Sequence, residues 1–279
     1  MAFESDGEPP KNILITGISG SIGQKLYSHL QQLERYNITG LDKEASSGGI
    51  HKADLTDAPE TWSKYLSGID TVVHLAAYAR NYASWGDAIG PNVDGLLNLY
   101  CACQKQGVKR VIFSSSVWPM AGYRFADNII RGDTTPSPMN AYGATKTFGE
   151  RVGRSFHENY GIETVVLRLG ACLRQNNRPS VQMVRGDWQQ SHWLSDRDMC
   201  QAFQLAIERP SPGYGVYNVT SAITGSRWDI QNTRDELGYS PQDQHTVRVT
   251  ATRKFQAFVA RVSFEKLPSL LKRIVPPTW

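Results

Sequence analysis

The fold is decided by residues 12–23, which read NILITGISGSIG. The apolar run 12–16 predicts a buried strand of a parallel sheet, because strands covered on both faces are continuously hydrophobic. Gly17, Gly20 and Gly23 follow at the spacing of a dinucleotide-binding turn, which leads from a strand into a helix. In such a turn the glycines permit a tight bend, close approach to a pyrophosphate and close packing of the helix.

Strands and helices alternate along the chain beyond this turn. Further strands are predicted at 37–41, 70–75, 108–113 and 163–169, and helices at 21–35, 59–66 and 140–160, with a long helix starting after Pro91. Ser195 is expected to cap a helix that ends near Glu208. This alternation predicts an α/β fold, a Rossmann-type doubly wound parallel sheet. The length of 279 residues also leaves room for a small C-terminal lobe, which we expect to bind substrate.

The expected organisation has four segments. They are a flexible N-terminus (1–11), an NAD-binding Rossmann domain (12–170), a substrate-binding portion interleaved with the sheet (171–249) and a basic amphipathic tail (250–279). For the tail two interpretations stay open. It forms helices that pack on the parent domain or a second subunit, or it contacts a membrane surface or a partner.

The composition is that of an ordinary globular protein, with 40% hydrophobic and 20% charged residues among 279. The net charge is +4, and no dense basic cluster stands beside aromatic residues, which disfavours nucleic-acid binding. The polar, acidic start is unlike a secretory signal, and no apolar run is long enough to span a bilayer. Four cysteines, with Cys101 and Cys103 on different faces of a predicted helix, indicate reduced thiols in a cytoplasmic protein without a metal site.

A carboxylate, Asp42, ends the second predicted strand, about 20 residues after the glycine turn. There it accepts hydrogen bonds from the adenosine ribose hydroxyls and repels a 2′-phosphate, so NAD is expected rather than NADP. The neighbouring Lys43 weakens this preference, because a cation tolerates phosphate. Asp54 and Leu55 are expected to flank the adenine, and the alternative for Asp54 is a helix N-cap.

Tyr142 and Lys146 lie one turn apart in the predicted helix 140–160, so the phenol and the ammonium share one helix face. A lysine beside a tyrosine favours the phenolate, and we expect it to lower a tyrosine pKa that is ordinarily about 10. Such a phenol takes or gives the proton of an alcohol while a hydride leaves or reaches the carbon. Ser116 lies upstream, in the serine run that follows strand 108–113.

These motifs resemble the extended short-chain dehydrogenase/reductase family, also called the NAD-dependent epimerase/dehydratase family. The matching pieces, in family order, are TGISGSIG at 16–23, Asp42, HLAA at 74–77, NVDGLLN at 92–98, SSS at 114–116 and YGATK at 142–146. The resemblance implies that Ser116 hydrogen-bonds the substrate oxygen and that Tyr142 is the acid/base. It also implies that Lys146 lowers the pKa of that tyrosine and binds the nicotinamide ribose, and that Asn92 supports the site.

The resemblance extends to binding residues and to assembly. The expected cofactor contacts are Gly17, Ser19, Gly20, Ser21, Ile22, Gly23, Asp42, Asp54, Leu55, Leu75, Ala76, Ala77, Asn92, Ser114, Tyr142 and Lys146. The expected contacts to a small-molecule substrate are Ala79, Ser116, Val117, Trp118, Ala171, Arg178 and Arg185. A homodimer through the helices near 93–106 and 140–160 is the family expectation.

Within the family the second half is most similar to the uronate dehydrogenases, which oxidise a hexuronate with NAD and no metal. The similar segments include LRLGAC at 167–172, NNR at 176–178 and WDI at 228–230. Where those enzymes line the sugar pocket with polar residues, this chain has Ala79, Val117, Trp118 and Ala171. Unpaired sugar hydroxyls in a dry pocket cost about 1–3 kcal/mol each, which favours a less hydroxylated or partly aromatic alcohol or ketone.

Two further site residues have two interpretations each. Arg178 or Arg185 could hold a substrate carboxylate, since the guanidinium forms a bidentate pair with it. The alternative for either residue is a solvated surface arginine. Trp118 would supply a stacking face for the substrate.

Three functions stay open at this point. The leading one is reversible hydride transfer between NAD and a secondary alcohol, a ketone or a sugar-like substrate. The alternatives are an epimerase that retains its NAD, which needs the same three side chains, and a non-catalytic NAD-binding regulator. Dehydration is disfavoured, because Val117 and Trp118 stand where dehydratases of the family carry an acidic pair.

Overall fold

The structure, a computed structural model, describes residues 10–44, 49–175, 177–179, 187–248 and 251. The strands of its main sheet are β1 (Lys11–Thr16), β2 (Tyr36–Asp42), β3 (Ile50–Lys52), β4 (Thr71–His74), β5 (Arg110–Ser116), β6 (Glu163–Leu169) and β7 (Tyr214–Val219). All are parallel, in the order β3-β2-β1-β4-β5-β6-β7. The chain fills one half of the sheet and then the other, so the topological switch point lies between β1 and β4.

The connecting segments are mostly helical. The α-helices are α1 (Ser21–Gln31), α2 (Trp85–Ile89), α3 (Gly95–Gln106), α4 (Ala141–Tyr160), α5 (Asp187–Gln190), α6 (Asp196–Glu208) and α7 (Gln231–Leu237). Turns of 3₁₀ helix cover Pro59–Thr61, Ser63–Leu66 and Trp118–Phe125, and a π-helical turn covers Gly90–Asp94. A separate parallel pair is formed by β8 (Ala222–Thr224) and β9 (Gln244–Thr246). None of the helices in these ranges is both long enough and apolar enough to cross a bilayer.

The core lies on both faces of the main sheet. Ile13 and Ile15 of β1 belong to one buried cluster, which also contains Phe203 of α6, while Leu14 belongs to the other. Leu99 of α3 packs in the second cluster. Successive strand residues point to opposite faces, and both faces are covered, which explains the continuous apolar run of β1.

The predicted fold class is confirmed, and several element boundaries agree closely. The strand predicted at 163–169 is β6, and the helix predicted at 140–160 is α4, capped by Asn140. Ser195 caps α6, because its hydroxyl accepts a hydrogen bond from the Asp198 backbone N–H.

Other elements differ from the prediction. The long helix does not begin after Pro91; helical structure already begins with α2, where Ser84 and Asp87 form a capping box. Pro91 lies inside the π-helical turn between α2 and α3, which accommodates a residue that has no N–H to donate. Residues 59–66 form two turns of 3₁₀ helix rather than one α-helix. The strands β3 and β7 and the helix α7 were not predicted.

Three predictions fall on parts of the chain outside the described residues. They concern the N-terminus 1–11 apart from its last two residues, the tail 250–279 apart from residue 251, and Arg185.

Candidate active site

The glycine turn between β1 and α1 is built for close approach. Gly17 has φ +72°, and a Cβ there would lie 2.7 Å from the Ala76 backbone nitrogen at the end of β4. A Cβ on Gly23 would lie 2.5 Å from the carbonyl oxygens of Gly17 and Ile18, so the helix packs directly on the turn. Gly20 is the N-cap of α1 and supplies no side-chain cap. The first N–H groups of this helix therefore suit the phosphates of a dinucleotide.

The carboxylate of Asp42 lies against the same turn. Its Oδ2 accepts a hydrogen bond from the Ser19 backbone nitrogen at 2.8 Å, and its Oδ1 accepts one from the Glu44 nitrogen at 3.1 Å. Lys43 forms an ion pair with Asp54, with 2.9 Å between Nζ and Oδ2. The hydrogen bond from Lys43 is the largest cause that lowers the pKa of Asp54 to about 2. The cation next to Asp42 is thus engaged by a second carboxylate.

Asp54 itself makes local contacts of the kind expected of a cap. Its Oδ1 accepts hydrogen bonds from the Thr56 nitrogen at 3.0 Å and the Thr56 hydroxyl at 2.7 Å. Leu55, which follows it, is buried in the core beside Leu96 of α3.

The end of β4 faces the glycine turn. The Leu75 nitrogen donates to the Thr16 carbonyl at 3.1 Å, and the Ala76 nitrogen donates to the Thr16 hydroxyl at 3.3 Å. His74 is buried, and its Nδ1 lies 2.8 Å from the same hydroxyl. Burial, followed by the nearby Lys146, lowers the pKa of His74 to about 3. His74 is therefore a neutral, packed side chain that holds the two strand ends together.

Tyr142 stands in the first turn of α4, beside the end of β5. The N-cap side chain of Asn140 accepts a hydrogen bond from the Gly143 nitrogen at 2.7 Å and donates one to the Asn81 carbonyl at 2.7 Å. A Cβ on Gly143 would lie 2.6 Å from the Trp118 carbonyl oxygen, so the helix begins directly on the segment after Ser116. Burial raises the pKa of Tyr142 to about 12, and a hydrogen bond with the Ser116 side chain acts in the opposite direction.

Lys146 lies in the same buried region. Its Nζ donates to the Ser114 carbonyl at 2.7 Å and lies 5.7 Å from the centre of the Tyr142 ring. Burial lowers the pKa of Lys146 to about 7. The prediction that Lys146 lowers the pKa of Tyr142 is therefore wrong for the protein groups alone. Both side chains are buried away from water, and the Lys146 amine forms its hydrogen bond with the Ser114 carbonyl of β5.

Asn92 connects the elements around this site. It lies in the π-helical turn, where its Oδ1 accepts a hydrogen bond from the Tyr78 nitrogen at 2.7 Å. Its Nδ2 donates to the Thr145 hydroxyl at 3.0 Å, which in turn donates to the Tyr142 carbonyl at 2.9 Å. Its side chain thus reaches the backbone of the helix that carries the phenol.

The residues expected to contact substrate divide into two groups. Val117 is buried and Trp118 and Ala171 are half-buried at the carboxyl ends of β5 and β6, whereas Ala79 and Arg178 are exposed. Beside Val117 the structure places Met120, Ile130, Trp188 and Trp228 in one apolar cluster. The aromatic members were not predicted as site residues. The sequence signals were a tryptophan, Trp188, in the segment after the strand predicted at 163–169, and the segment WDI at 228–230, which contains Trp228.

The loop after β6 is fastened to its surroundings by Asn177. Its Oδ1 accepts hydrogen bonds from the Leu173 nitrogen at 3.0 Å and the Trp193 indole at 3.2 Å. Its Nδ2 donates to Asp196 Oδ1 at 2.6 Å.

The same loop is tied to the cofactor helix α1. Ser21 donates to the Arg174 carbonyl at 3.5 Å. Lys25 Nζ donates to the Leu173 carbonyl at 2.9 Å and pairs with Asp196 at 2.8 Å. The helix whose N-terminus suits the phosphates of a dinucleotide is therefore also hydrogen-bonded to the loop after β6.

A model of the NAD-dependent epimerase/dehydratase family matches residues 13–182. The chain belongs to this family. It is 30% identical to the NAD-dependent glucose-6-phosphate dehydrogenase of Haloferax volcanii over 83% of this chain and 93% of that protein. It is also 30% identical to the uronate dehydrogenase of Pseudomonas putida, covering 84% of this chain and 85% of that protein. A solved structure of a mutated uronate dehydrogenase superposes with a TM-score of 0.71 at 27% identity, covering 93% of this chain and 87% of that one.

These similarities confirm the predicted resemblance, enzyme class and cofactor. The protein is an NAD-dependent oxidoreductase of the extended short-chain dehydrogenase/reductase type. The cradle at Gly17 and Gly23, which a Cβ would fill, and the uncapped N–H groups of α1 fit the pyrophosphate of NAD.

A buried ion pair lies directly behind the site of this epimerase/dehydratase-family enzyme. Glu150, one turn after Lys146, accepts hydrogen bonds from Arg168 Nε at 2.9 Å and Nη2 at 2.7 Å. The Ser115 hydroxyl donates to the same carboxylate at 2.7 Å, and Arg168 Nη1 donates to the Gly132 carbonyl at 3.2 Å. The pair joins α4, β5 and β6 at the level of the site, and no local sequence pattern predicts it.

Lys146→Met is expected to remove a pH dependence of stability. The pKa of Lys146 falls from 10.5 to about 7 on folding, so between these values the unfolded chain binds a proton that the folded chain does not. The free energy of unfolding of the wild type should therefore rise relative to the variant from about pH 7 to about pH 9. Urea unfolding at several pH values measures this difference. The same change at the exposed Lys105 is the control, and a flat difference for Lys146 contradicts the assignment.

Proposed function

We propose that the protein catalyses reversible hydride transfer between NAD and a secondary alcohol or ketone, or a sugar-like compound with few hydroxyls. The supporting observation is a buried tyrosine that shares a hydrogen bond with the Ser116 side chain, one turn from Lys146. These side chains gather at the carboxyl edge of the sheet, where open α/β folds bind their ligands. NAD, when bound, takes up or returns the hydride.

The side chains of the protein would transfer the proton and position the substrate. Tyr142 removes the hydroxyl proton during oxidation and returns it during reduction. Ser116 holds the substrate oxygen by a hydrogen bond. Lys146 keeps its place beside the Tyr142 ring through the Ser114 carbonyl, and it would bind the nicotinamide ribose. Asn92 acts at a distance, by fixing α4 against the segment that follows β4.

The preference for NAD over NADP is assigned to Asp42. Its carboxylate lies on the glycine turn, where the adenosine ribose would lie, and a 2′-phosphate there would meet a negative charge. The positive charge of Lys43 is less able to compensate the negative charge of Asp42, because Lys43 forms an ion pair with Asp54.

The substrate class is proposed from the apolar wall next to Ser116. Val117 and Trp118 pack with Trp188 and Trp228, which leaves few side-chain partners for a polyol on that side. Residues 12–170 would thus bind NAD, and residues 171–249 would supply the substrate-binding portion. Within that portion the exposed Arg178 would hold a carboxylate only if the substrate carries one.

A cytoplasmic homodimer completes the proposal. All four cysteines are free thiols, as in proteins of reducing compartments. The interface would be formed by α3 and α4, the helices of the family expectation; α2, which contacts α4, adds the exposed apolar side chains of Trp85 and Ile89. Light scattering on the purified protein measures its mass in solution.

The proposed function is tested by a ligand screen on the NAD-loaded protein. Aromatic and alicyclic secondary alcohols are compared with glucuronate and galacturonate, following both the melting temperature and the formation of NADH. We expect the apolar alcohols to stabilise the protein and to produce NADH. Strong stabilisation by the hexuronates would contradict the proposed substrate class. Turnover without a net change in NADH would indicate an epimerase instead.

A further inference from the structure

Three aromatic rings meet beside the end of β5. The ring centre of Trp188 lies 5.3 Å from that of Trp228 and 5.6 Å from that of His192, and the His192 and Trp228 centres are 6.2 Å apart. We call these three residues the aromatic triangle. Its members come from α5, from the turn after α5 and from the segment before α7, so only the fold brings them together.

The aromatic triangle borders the catalytic serine. Trp188 and Trp228 share a buried cluster with Val117, the residue after Ser116. The His192 carbonyl accepts a hydrogen bond from the Ala171 nitrogen at 2.7 Å, at the end of β6. The triangle is therefore anchored to the ends of both strands that flank the site.

Two polar atoms within the triangle are buried without a partner among the described residues: Trp228 Nε1 and His192 Nδ1. The side chains are only 4% and 7% exposed, respectively. Other buried indoles of the chain are paired: Trp193 donates to Asn177 at 3.2 Å, and Trp62 donates to the Asp57 carbonyl at 3.4 Å. Because buried polar groups are normally hydrogen-bonded, each of these two atoms is suited to a partner other than the described residues.

The two atoms have complementary character. An indole nitrogen only donates. Burial lowers the pKa of His192 to about 4, so the ring is neutral, and its one N–H is used in the hydrogen bond with the Trp188 backbone. Nδ1 is then left as an acceptor. One donor and one acceptor in the same triangle match a single hydroxyl, which would accept from the indole and donate to the imidazole.

We propose that the aromatic triangle is a substrate subsite that binds one hydroxyl group between Trp228 and His192, with the substrate's carbon skeleton against the rings. This inference rests on the proposed function, because it places the hydroxyl on the same substrate that reacts at Ser116 and Tyr142. An ordered water offers the same hydrogen bonds, and the experiment separates the two sources.

The probes are 1-phenylethanol, its three ring-hydroxylated isomers and the matching methoxy compounds. Oxidation is followed as NADH formation, and binding to the NAD-loaded enzyme is followed as a change in melting temperature. We expect at least one hydroxylated isomer to exceed 1-phenylethanol in kcat/KM by roughly tenfold or more, because a site built for a hydroxyl discriminates against its absence. The methoxy compound, which cannot donate, should lose that advantage.

The decisive variants are Trp228→Phe and His192→Phe, with Trp193→Phe as the matched control. Each decisive variant keeps an aromatic ring and should reduce the preference for the hydroxylated probe to about one, whether read as turnover or as binding. Trp193→Phe removes an indole that is already paired with Asn177, so it should leave the preference unchanged.

The failure of each proposal has its own signature. Probes that are bound or oxidised without any preference in the wild type indicate a water at this position and overturn the subsite, while the proposed function stands. A preference that survives Trp228→Phe overturns it as well. Probes that bind with the expected preference but give no NADH support the subsite and contradict the proposed function, and probes that neither bind nor react contradict both.

Discussion

Tyr142→Phe should lower kcat by about 10²–10⁴-fold, the usual contribution of a general acid–base group. The substitution removes only the phenolic oxygen from a buried side chain whose hydrogen bond is with Ser116. The dissociation constant for NAD should change little, because the glycine turn and Asp42 are untouched. Steady-state NADH formation gives kcat, and calorimetric titration gives the NAD affinity.

Tyr82→Phe is the matched control for this prediction. Tyr82 lies in the segment between β4 and α2, and its side chain is 74% exposed. Loss of its hydroxyl should leave both kcat and NAD affinity near the wild-type values. Equal losses of activity in the two variants, or a Tyr142→Phe enzyme with wild-type kcat, would show that the phenol does not carry the proton.

Arg168→Met should lower the free energy of unfolding by about 3–5 kcal/mol, because it leaves the Glu150 carboxylate buried without its partner. The two side chains are only 2% and 4% exposed and share two hydrogen bonds. Because the pair joins α4 to β6, activity should fall as well. Denaturant unfolding followed by circular dichroism measures the stability change.

The comparison pair lies on the same helix. Arg154 and Glu158 of α4 form an ion pair whose side chains are 52% and 56% exposed. Arg154→Met should cost no more than about 0.5 kcal/mol, as for other exposed pairs on a helix. The double variant Glu150→Met with Arg168→Met should regain much of the lost stability. A cost at Arg168 no larger than at Arg154 would contradict the prediction.

The sequence predicted the parts of the fold that strong local patterns specify. β1 and β6 each contain a run of three apolar residues, and α4 has the cap residue Asn140 before it and Gly161 after it. These patterns involve residues that are close in the sequence, so they can be recognised without knowledge of the tertiary structure. The parallel direction of the strands follows from their alternation with helices.

The missed elements depend on contacts distant in the chain. β3 has three residues and exists by pairing with β2 at the sheet edge. β7 reads YGVYNV, a weak strand pattern that is held by its register with β6. At Pro91 the usual rule for a helix start failed, because the π-helical turn carries the chain through the proline.

The candidate site shows the same division. Spacing and strand ends placed Tyr142, Lys146 and Ser116 together, and the structure gathers them in one buried region. The hydrogen-bond acceptor of Lys146 could not be predicted from residue spacing, because the Ser114 carbonyl belongs to another element, β5. The aromatic triangle was missed for a similar reason, since Trp188 and Trp228 meet only after the chain has crossed the sheet.

The loop after β6 is hydrogen-bonded to α1, the helix whose N-terminus suits the phosphates of a dinucleotide. Ser21 donates to the Arg174 carbonyl at 3.5 Å, and Lys25 donates to the Leu173 carbonyl at 2.9 Å. A substitution of Lys25 would therefore release the backbone of that loop as well as change a residue of the helix that follows the glycine turn.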